Sequence, residues 1–297
     1  MDSLPLVSII CLCYNQKRFV ASAIRSALSQ TYAHIELIVV DDGSKDGSKE
    51  EIRSVLADKN IQFIDLDKNV GNCKAFNLGY RASRGEYLID LAADDVLLPT
   101  RVELGINDFA NTTENVGVHF TDAFLINEAG RPLGTHYCRT AEGKIKQAIP
   151  SGNIYCDLIS RYFICPPTMM TKRVVFDNLN GYDESLRYED FDFWIRSSRN
   201  FDYLFNPAPL LKYRKVAGSH GGNQQSLKTK QQQSTLHVCE KILSLNQSEL
   251  ENQSLIKRCW YEIRQCAKTL NWGLISEYWK LIKRAKVTSA GYHRTQA

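Results

Sequence analysis

Two pairs of adjacent aspartates are the residues in this sequence best suited to chemistry. Asp41-Asp42 follows the apolar run 35–40, and Asp94-Asp95 follows a second apolar run that starts at Tyr87. Adjacent carboxylates repel each other unless a cation or hydrogen-bond donors neutralise their charge. Mg²⁺ and Mn²⁺ accept such oxygens, usually one or two carboxylates completed by substrate phosphates. One pair alone would be typical of a solvated loop that caps a helix, whereas two pairs predict a single acidic cleft.

The apolar runs before these pairs predict strands of one sheet. Strands are predicted at 6–13, 35–40, 61–66 and from residue 87 onward, and helices at 19–28, 49–56 and 73–82. This alternation predicts an α/β fold whose parallel sheet has right-handed crossovers. Ligands of open α/β sheets bind at the carboxyl ends of the strands. Both aspartate pairs are therefore expected at the ligand-binding edge.

The middle of the chain is expected to add a strand at 116–126, a loop or hairpin at 127–151 and a strand entered through 166–170. An amphipathic helix opens within 187–196, and its first turn is acidic. Acids gain from the macrodipole at a helix N-terminus. Glu189 and Asp190 therefore have a structural and a functional interpretation, and both stay open.

The composition changes from residue 219 onward. A Gln- and Lys-rich segment at 228–233 precedes predicted helices at 236–245 and 255–286. The second helix mixes aromatic residues with lysine and arginine, which suits an anionic membrane face or a partner. The alternative is an ordinary helical subdomain that packs on the catalytic domain.

The bulk composition indicates a soluble globular protein. The 297 residues, 43% of them apolar and 24% charged, can form one large α/β domain plus an extension, or two domains. A net charge of +4 is too small to indicate nucleic-acid binding, and we expect neither a signal peptide nor a transmembrane helix. The nine cysteines include no CxxC pair, which favours a reducing compartment, hence the cytoplasm.

Short motifs over about the first 215 residues strongly resemble the GT-A fold family 2 glycosyltransferases. In chain order they are Tyr14-Asn15, Gln30-Thr31-Tyr32, Asp41-Asp42-Gly43-Ser44, Asn69-Val70-Gly71, Asn77-Leu78-Gly79, Gly85-Glu86-Tyr87, Asp94-Asp95, and Gly181-Tyr182-Asp183-Glu184 with Glu189-Asp190. The resemblance implies a Rossmann-like, mostly parallel sheet flanked by helices. It implies a GT-A domain over 1–218, with a nucleotide-sugar half at 1–100 and an acceptor half at 101–218, followed by a helical extension over 219–297.

The resemblance also implies roles for individual residues. Asp190 would be the general base, with Glu189 in reserve. Asp95 would hold a divalent metal, Mn²⁺ or Mg²⁺, and His220 is a further metal or diphosphate candidate. Many members have Asp-x-Asp-Asp where this chain has Ala92-Ala93-Asp94-Asp95, so weak metal affinity is expected. The donor contacts would be Cys13, Tyr14, Asn15, Asp41, Asp42, Lys74 and Asp94.

The expected reaction is transfer of a hexosyl or N-acetylhexosaminyl group from a nucleotide sugar, a UDP-sugar above all. One base without a covalent nucleophile predicts inversion. The family implies a saccharide or glycolipid acceptor in surface polysaccharide assembly, with peripheral contact at the inner membrane face. The alternative is a catalytically degenerate nucleotide-sugar-binding or scaffold subunit. A dinucleotide oxidoreductase would need GxGxxG after the first strand, where this chain has Cys13-Tyr14-Asn15-Gln16.

Overall fold

The computed structural model describes residues 4–57, 59–186, 188–216 and 225–295. The chain divides into two compact units that alternate along the sequence. The first unit comprises 1–152, 164–184 and 201–216, and the second comprises 153–163, 185–200 and 217–297. Two segments of the predicted acceptor half thus group with the C-terminal helices. A single domain boundary after residue 218 stays a prediction.

The first unit begins with the expected alternation of strands and helices. Strands and helices alternate along this part of the chain. The strands are β1 (Val7–Cys13), β2 (Ile35–Asp41), β3 (Gln62–Asp65) and β4 (Tyr87–Ala92), and the helices between them are α1 (Val20–Leu28), α2 (Ser48–Leu56) and α3 (Asn72–Ala82). The four strands are parallel and lie in the order β3-β2-β1-β4. Because β1 and β2 are buried apolar runs, they occupy the centre of this half.

Beyond β4 the sheet becomes mixed. The remaining elements of this unit are β5 (Val96–Leu97), α4 (Arg101–Ala110), β6 (Val116–Asn127), β7 (Pro132–Thr135), β8 (Met170–Lys172), α6 (Arg173–Leu179) and β9 (Asp202–Lys215). Strand β8 is antiparallel to both β4 and β6, whereas β9 is parallel to β6. The hairpin expected within 127–151 is present, because β7 pairs antiparallel with β6.

The core of the first unit lies between α1 and the strands. Val20, Ala23, Ile24 and Ala27 face it at helical spacing, and all are 1% exposed or less. Full burial of each aliphatic side chain larger than alanine contributes roughly 1.5–3 kcal/mol. This packing fixes the start of the sheet and therefore the position of the strand ends.

The second unit is helical among its described residues. It contains α5 (Tyr155–Ser160), α7 (Asp190–Ser197), α8 (Gln225–Leu245), α9 (Glu249–Lys268) and α10 (Trp272–Thr295). The prediction of a single helix at 255–286 was wrong. A turn at 269–271, where Leu270 has a φ of 55°, separates α9 from α10. Helix α8 also begins earlier than predicted and includes the Gln- and Lys-rich segment, in keeping with the helix propensity of both residues. In the described ranges, no helix has the length and apolarity to span a bilayer.

Candidate active site

The carboxyl ends of β1, β2 and β4 bring the predicted donor residues together. Cys13 pairs with Asp41 across β1 and β2, and Leu12 pairs with Ala92 across β1 and β4. The turns that follow these strands therefore share one edge of the sheet. The last residues of β1 and β2, and the turns after these strands and β4, comprise Cys13, Tyr14, Asn15, Asp41, Asp42, Asp94 and Asp95.

The turn after β1 is locked to the turn after β2. Asn15 has a φ of 54°, in the left-handed region that asparagine tolerates. Its backbone N–H donates to Ser44 Oγ at 2.8 Å, and its Oδ1 accepts from Lys45 N at 2.8 Å. Tyr14 is 44% exposed at this edge. The two turns thus form one rigid platform beside an accessible aromatic ring.

Asp42 organises the turn that follows β3. Its carboxylate accepts from Val70 N at 2.6 Å, Gly71 N at 3.0 Å and Asn69 Nδ2 at 2.8 Å. Burial raises the pKa of Asp42, and the two backbone donors oppose that rise. Gly43 belongs to the same arrangement, because a Cβ there would lie 2.4 Å from the Lys68 carbonyl carbon. The Asn69-Val70-Gly71 motif is therefore the structural partner of Asp42.

Asp41 is fully buried and only half satisfied. Its Oδ1 accepts from Ser44 N at 2.8 Å and lies 4.0 Å from Lys49 Nζ. Its Oδ2 has no hydrogen-bond partner in the described part of the chain. A buried acceptor of this kind normally has a partner, so Asp41 suits a donor group of a ligand at this edge.

Asp95 has a similar half-satisfied carboxylate beside β4. It is 1% exposed, its Oδ1 accepts from Arg214 N at 2.8 Å, and its Oδ2 has no partner among the described residues. Burial raises the pKa of Asp95 well above its usual range, and the neighbouring Asp94 charge adds to the rise. Asp94 is half-buried and approaches Gln16 Nε2 at 3.4 Å. A cation at this position would relieve the charge of both carboxylates.

Arg214, near the end of β9, was missed in the sequence. Its Nε donates to the Asp94 carbonyl at 2.8 Å, and its Nη1 lies 3.2 Å from the carbonyls of Asn127 and Glu128. Its guanidinium also lies 4.6 Å from the Phe19 ring centroid. Arg214 thus holds the Asp94-Asp95 turn in place through these contacts. The available signal was an arginine near the end of a strand-like segment.

The carboxylates of Asp94 and Asp95 suit a metal ion that takes most of its other ligands from a bound substrate. No group of three or more His, Cys, Asp or Glu side chains able to hold a metal occurs in the described ranges. Asp94 and Asp95 supply two neighbouring carboxylates, with the unpartnered Asp95 Oδ2 as the acceptor. Mg²⁺ in particular is often bound by one or two carboxylates together with substrate phosphates. His220 lies outside the described residues.

Two other predicted features lie on α3. Lys74 is exposed in its first turn. Asn77 bonds to both backbone groups of Tyr182, donating to the carbonyl at 2.9 Å and accepting from the N–H at 2.9 Å. A Cβ on Gly181 would lie 2.4 Å from Asn77 Oδ1. The Asn77-Leu78-Gly79 and Gly181-Tyr182 motifs therefore depend on each other.

Glu189 and Asp190 begin α7 in the second unit. The residues after them hold this helix to α8 and α9. Asp192 pairs with Lys241 of α8 at 2.7 Å, and Arg199 pairs with Glu251 of α9 at 2.9 Å. Just before α7, Tyr188 Oη lies 2.5 Å from Thr235 Oγ1. The C-terminal helices therefore determine where the start of α7 lies within this unit.

Arg258 is a buried residue that the sequence placed with the basic residues of the C-terminal helices. It is 1% exposed, and its guanidinium lies 3.8 Å from the Tyr162 ring centroid and 4.5 Å from that of Phe191. Its Nε lies 2.9 Å from Glu262 Oε1. Arg258 thus packs against the first turn of α7 as an aromatic-stacked ion pair, and it is not part of an exposed basic surface.

Sequence comparisons give a consistent set of relatives. The family model described as Glycosyl transferase family 2 matches residues 8–179. An uncharacterized glycosyltransferase of Rickettsia prowazekii is 32% identical over 212 residues, which cover 71% of this chain and 64% of that protein. Another uncharacterized glycosyltransferase, from Methanocaldococcus jannaschii, is 32% identical over 221 residues, covering 71% of each chain. The match to the Rickettsia protein thus spans less than two thirds of its length.

Solved structures share the fold at low sequence identity. S. aureus TarS in complex with UDP-GlcNAc has a TM-score of 0.61 at 16% identity, covering 85% of this chain and 71% of that one. The mannosyltransferase PcManGT from Pyrobaculum calidifontis, in complex with GDP-Man and Mn²⁺, has a TM-score of 0.57 at 14% identity. That alignment covers 97% of this chain and 88% of the other. These similarities establish the GT-A fold.

Proposed function

The chain belongs to glycosyl transferase family 2, and from that premise we propose that it moves a sugar from a nucleotide diphosphate donor to a hydroxyl group of a saccharide or glycolipid acceptor. The observation that carries the proposal is the shared edge at which Tyr14, Asp41 and Asp95 meet. Two of these residues keep a buried carboxylate oxygen without a partner among the described residues. Such atoms are expected where a polar ligand completes the site.

The proposed donor is a UDP-sugar that carries a hexosyl or N-acetylhexosaminyl group. TarS is solved with UDP-GlcNAc, which supports this choice, whereas the GDP-Man of the Pyrobaculum enzyme makes GDP the competing nucleotide. The Tyr14 ring and Asn15 would contact the base, Asp41 and Asp42 the base or its ribose, and Asp94 the ribose. Lys74 and the neighbouring turns would contact the diphosphate.

Asp95 is the proposed metal ligand, and Asp94 lies beside it. The Mn²⁺ in the Pyrobaculum complex supports this role. When bound, such a cation supplies Lewis-acid stabilisation of the departing diphosphate. Since Ala92 removes one acid of the usual motif, the donor's phosphates must complete the coordination, and metal affinity without nucleotide is expected to be low. His220 remains a second candidate ligand.

Asp190 is the proposed general base, with Glu189 in reserve. Its carboxylate would take the proton of the acceptor hydroxyl as the oxygen attacks the anomeric carbon and the bond to the nucleoside diphosphate breaks. A single displacement of this kind inverts the anomeric configuration, by analogy with the division of roles in glycoside hydrolysis.

The proposed setting is the cytoplasm, with peripheral contact at the inner membrane face. The many aromatic and basic residues of the C-terminal helices support an acceptor anchored in a membrane, such as a glycolipid of surface polysaccharide assembly. The competing function is a nucleotide-sugar-binding subunit without turnover, which the missing acid at Ala92 favours.

Thermal unfolding with UDP, GDP or dTDP, each with and without Mn²⁺, tests the donor and the metal together. A ligand at 100 times its Kd stabilises the native state by about 2.7 kcal/mol. We expect stabilisation by UDP that increases with Mn²⁺ and loses that increment in Asp95→Ala. UDP binding indifferent to Mn²⁺ would remove the metal from the mechanism. Binding without turnover of any donor would favour the scaffold, and no response to any nucleotide would contradict donor binding.

A further inference from the structure

The α9–α10 hairpin exposes large aromatic side chains. Trp272 is 67% exposed, Tyr261 48%, Trp279 42% and Trp260 40%. Leu270, in the turn between the helices, is 71% exposed. Isolated exposed apolar residues are ordinary, but a contiguous group indicates an interaction site.

Two of these side chains meet across the hairpin, and helical spacing places further aromatic and basic residues in line with them. Trp260 on α9 and Trp279 on α10 touch, with their ring centroids 4.7 Å apart and edge to face. Along α9, Trp260, Arg264 and Lys268 recur at helical spacing, and along α10 Trp272 and Trp279 are two turns apart. Because the touching tryptophans join the two stripes, both lie on the same side of the hairpin. We call this surface, formed by Trp260, Tyr261, Arg264, Lys268, Trp272 and Trp279, the aromatic–basic face.

The charge on and beside this face is strongly positive. Lys257, Arg264, Lys268, Lys280, Lys283 and Lys286 are all exposed. Between residues 257 and 289 the acids are Glu262, which is buried against Arg258, and Glu277, which pairs with Lys280 at 2.7 Å. The exposed cations therefore lack a matching set of acids within this segment.

We propose that the aromatic–basic face docks on the surface of a bilayer that contains anionic phospholipids. Tryptophan and tyrosine favour the headgroup region, because their rings are apolar and their N–H or O–H groups are polar. Basic residues near an anionic leaflet each add about 1 kcal/mol of attraction, a factor of about five in affinity. The exposed cations have the charge complementary to such a leaflet. This inference rests on the membrane-side acceptor proposed above and names the surface that would reach it.

Sedimentation of the full-length protein with phosphatidylcholine vesicles, with and without phosphatidylglycerol, tests the proposal. We expect at least tenfold tighter binding to the anionic vesicles, weakened by salt. Arg264→Glu combined with Lys268→Glu should lower that affinity at least tenfold. Trp272→Ser should lower the affinity for anionic vesicles about threefold. This loss comes from the apolar contact, so it should be separate from the weakening caused by high salt. Arg131→Glu combined with Lys144→Glu, at exposed positions of the first unit, is the charge-matched control.

The stabilisation by UDP is measured on each variant, so that failure of the two proposals can be told apart. A variant that keeps this response is folded. Wild-type protein that responds to UDP but does not sediment with anionic vesicles would overturn the docking face. So would equal losses in the face variant and the control. Concentration-dependent association abolished by Arg264→Glu, without vesicle binding, would identify a protein as the occupant and overturn the bilayer.

Discussion

Lys241 Nζ on α8 lies 2.7 Å from Asp192 Oδ1 on α7. The other oxygen of Asp192, which is 1% exposed, accepts from Arg196 Nε at 2.6 Å. This buried carboxylate lies two residues after the proposed base. The helical extension is therefore part of the support of α7.

Lys241→Met tests that support. The substitution keeps most of the length of the side chain and removes its charged hydrogen bond, so we expect the free energy of unfolding to fall by about 1–3 kcal/mol. If α7 then shifts, kcat should fall while UDP affinity stays unchanged. Urea titration, UDP titration and steady-state kinetics measure the three quantities, with Lys144→Met as the exposed control. If UDP affinity fell by the same factor as kcat, the role of Lys241 would not be confined to α7.

Asp190→Asn should lower turnover by about 10²–10⁴-fold, the usual contribution of a general base. Asparagine preserves the shape of the side chain and removes the proton acceptor, so nucleotide affinity should hardly change. Glu189→Gln is the matched variant one residue earlier, and it should retain most of the activity. The assignment fails if the two variants have equal rates, or if Asp190→Asn no longer binds UDP.

Asp95→Asn should stabilise the ligand-free protein at neutral pH. The pKa of the buried Asp95 carboxyl is raised. The protonated carboxyl therefore stabilises the native state at low pH, and this contribution is lost as pH rises through the folded pKa. Asparagine keeps an acceptor for Arg214 N and avoids the buried charge. The Mn²⁺-dependent part of UDP stabilisation should disappear in the same variant. A lower melting temperature without ligand would show that the charge itself supports the native state.

His119 should make the protein sensitive to moderate acid. Burial lowers the pKa of His119 to about 4, although its hydrogen bond to Asp108 opposes the shift. The stability linked to His119 is therefore complete above an unfolded pKa of about 6.5 and declines toward pH 4, by about 3 kcal/mol in total. Denaturant titrations at pH 7 and pH 5 should show part of this loss, because pH 5 is still above the folded pKa. His119→Gln should reduce the difference between the two titrations. An unchanged difference would assign the acid sensitivity to other groups.

Local patterns were sufficient for the first half of the first unit. Strands β1 to β4 are short apolar runs bounded by polar turns, and the aspartates that follow them reach a common edge because parallel strands end on the same side of a sheet. The family resemblance, which the match to the family model confirms, rests in part on the same patterns, since Tyr14-Asn15, Asp41-Asp42 and Asp94-Asp95 lie at that edge. These features depend on neighbours in sequence, which a linear pattern records.

The sequence by itself therefore determined the α/β class, the family and the edge at which the acidic residues lie. Only the tertiary structure decided what surrounds them. The bond from Arg214 to Asp95 spans 119 positions and uses a backbone N–H that almost any residue could supply, so no side-chain pattern announces it. Arg258 and Trp260 are equally suited to a surface helix, yet one is buried and the other exposed. Burial depends on which elements pack on each face of a helix, and those contacts come from distant parts of the chain.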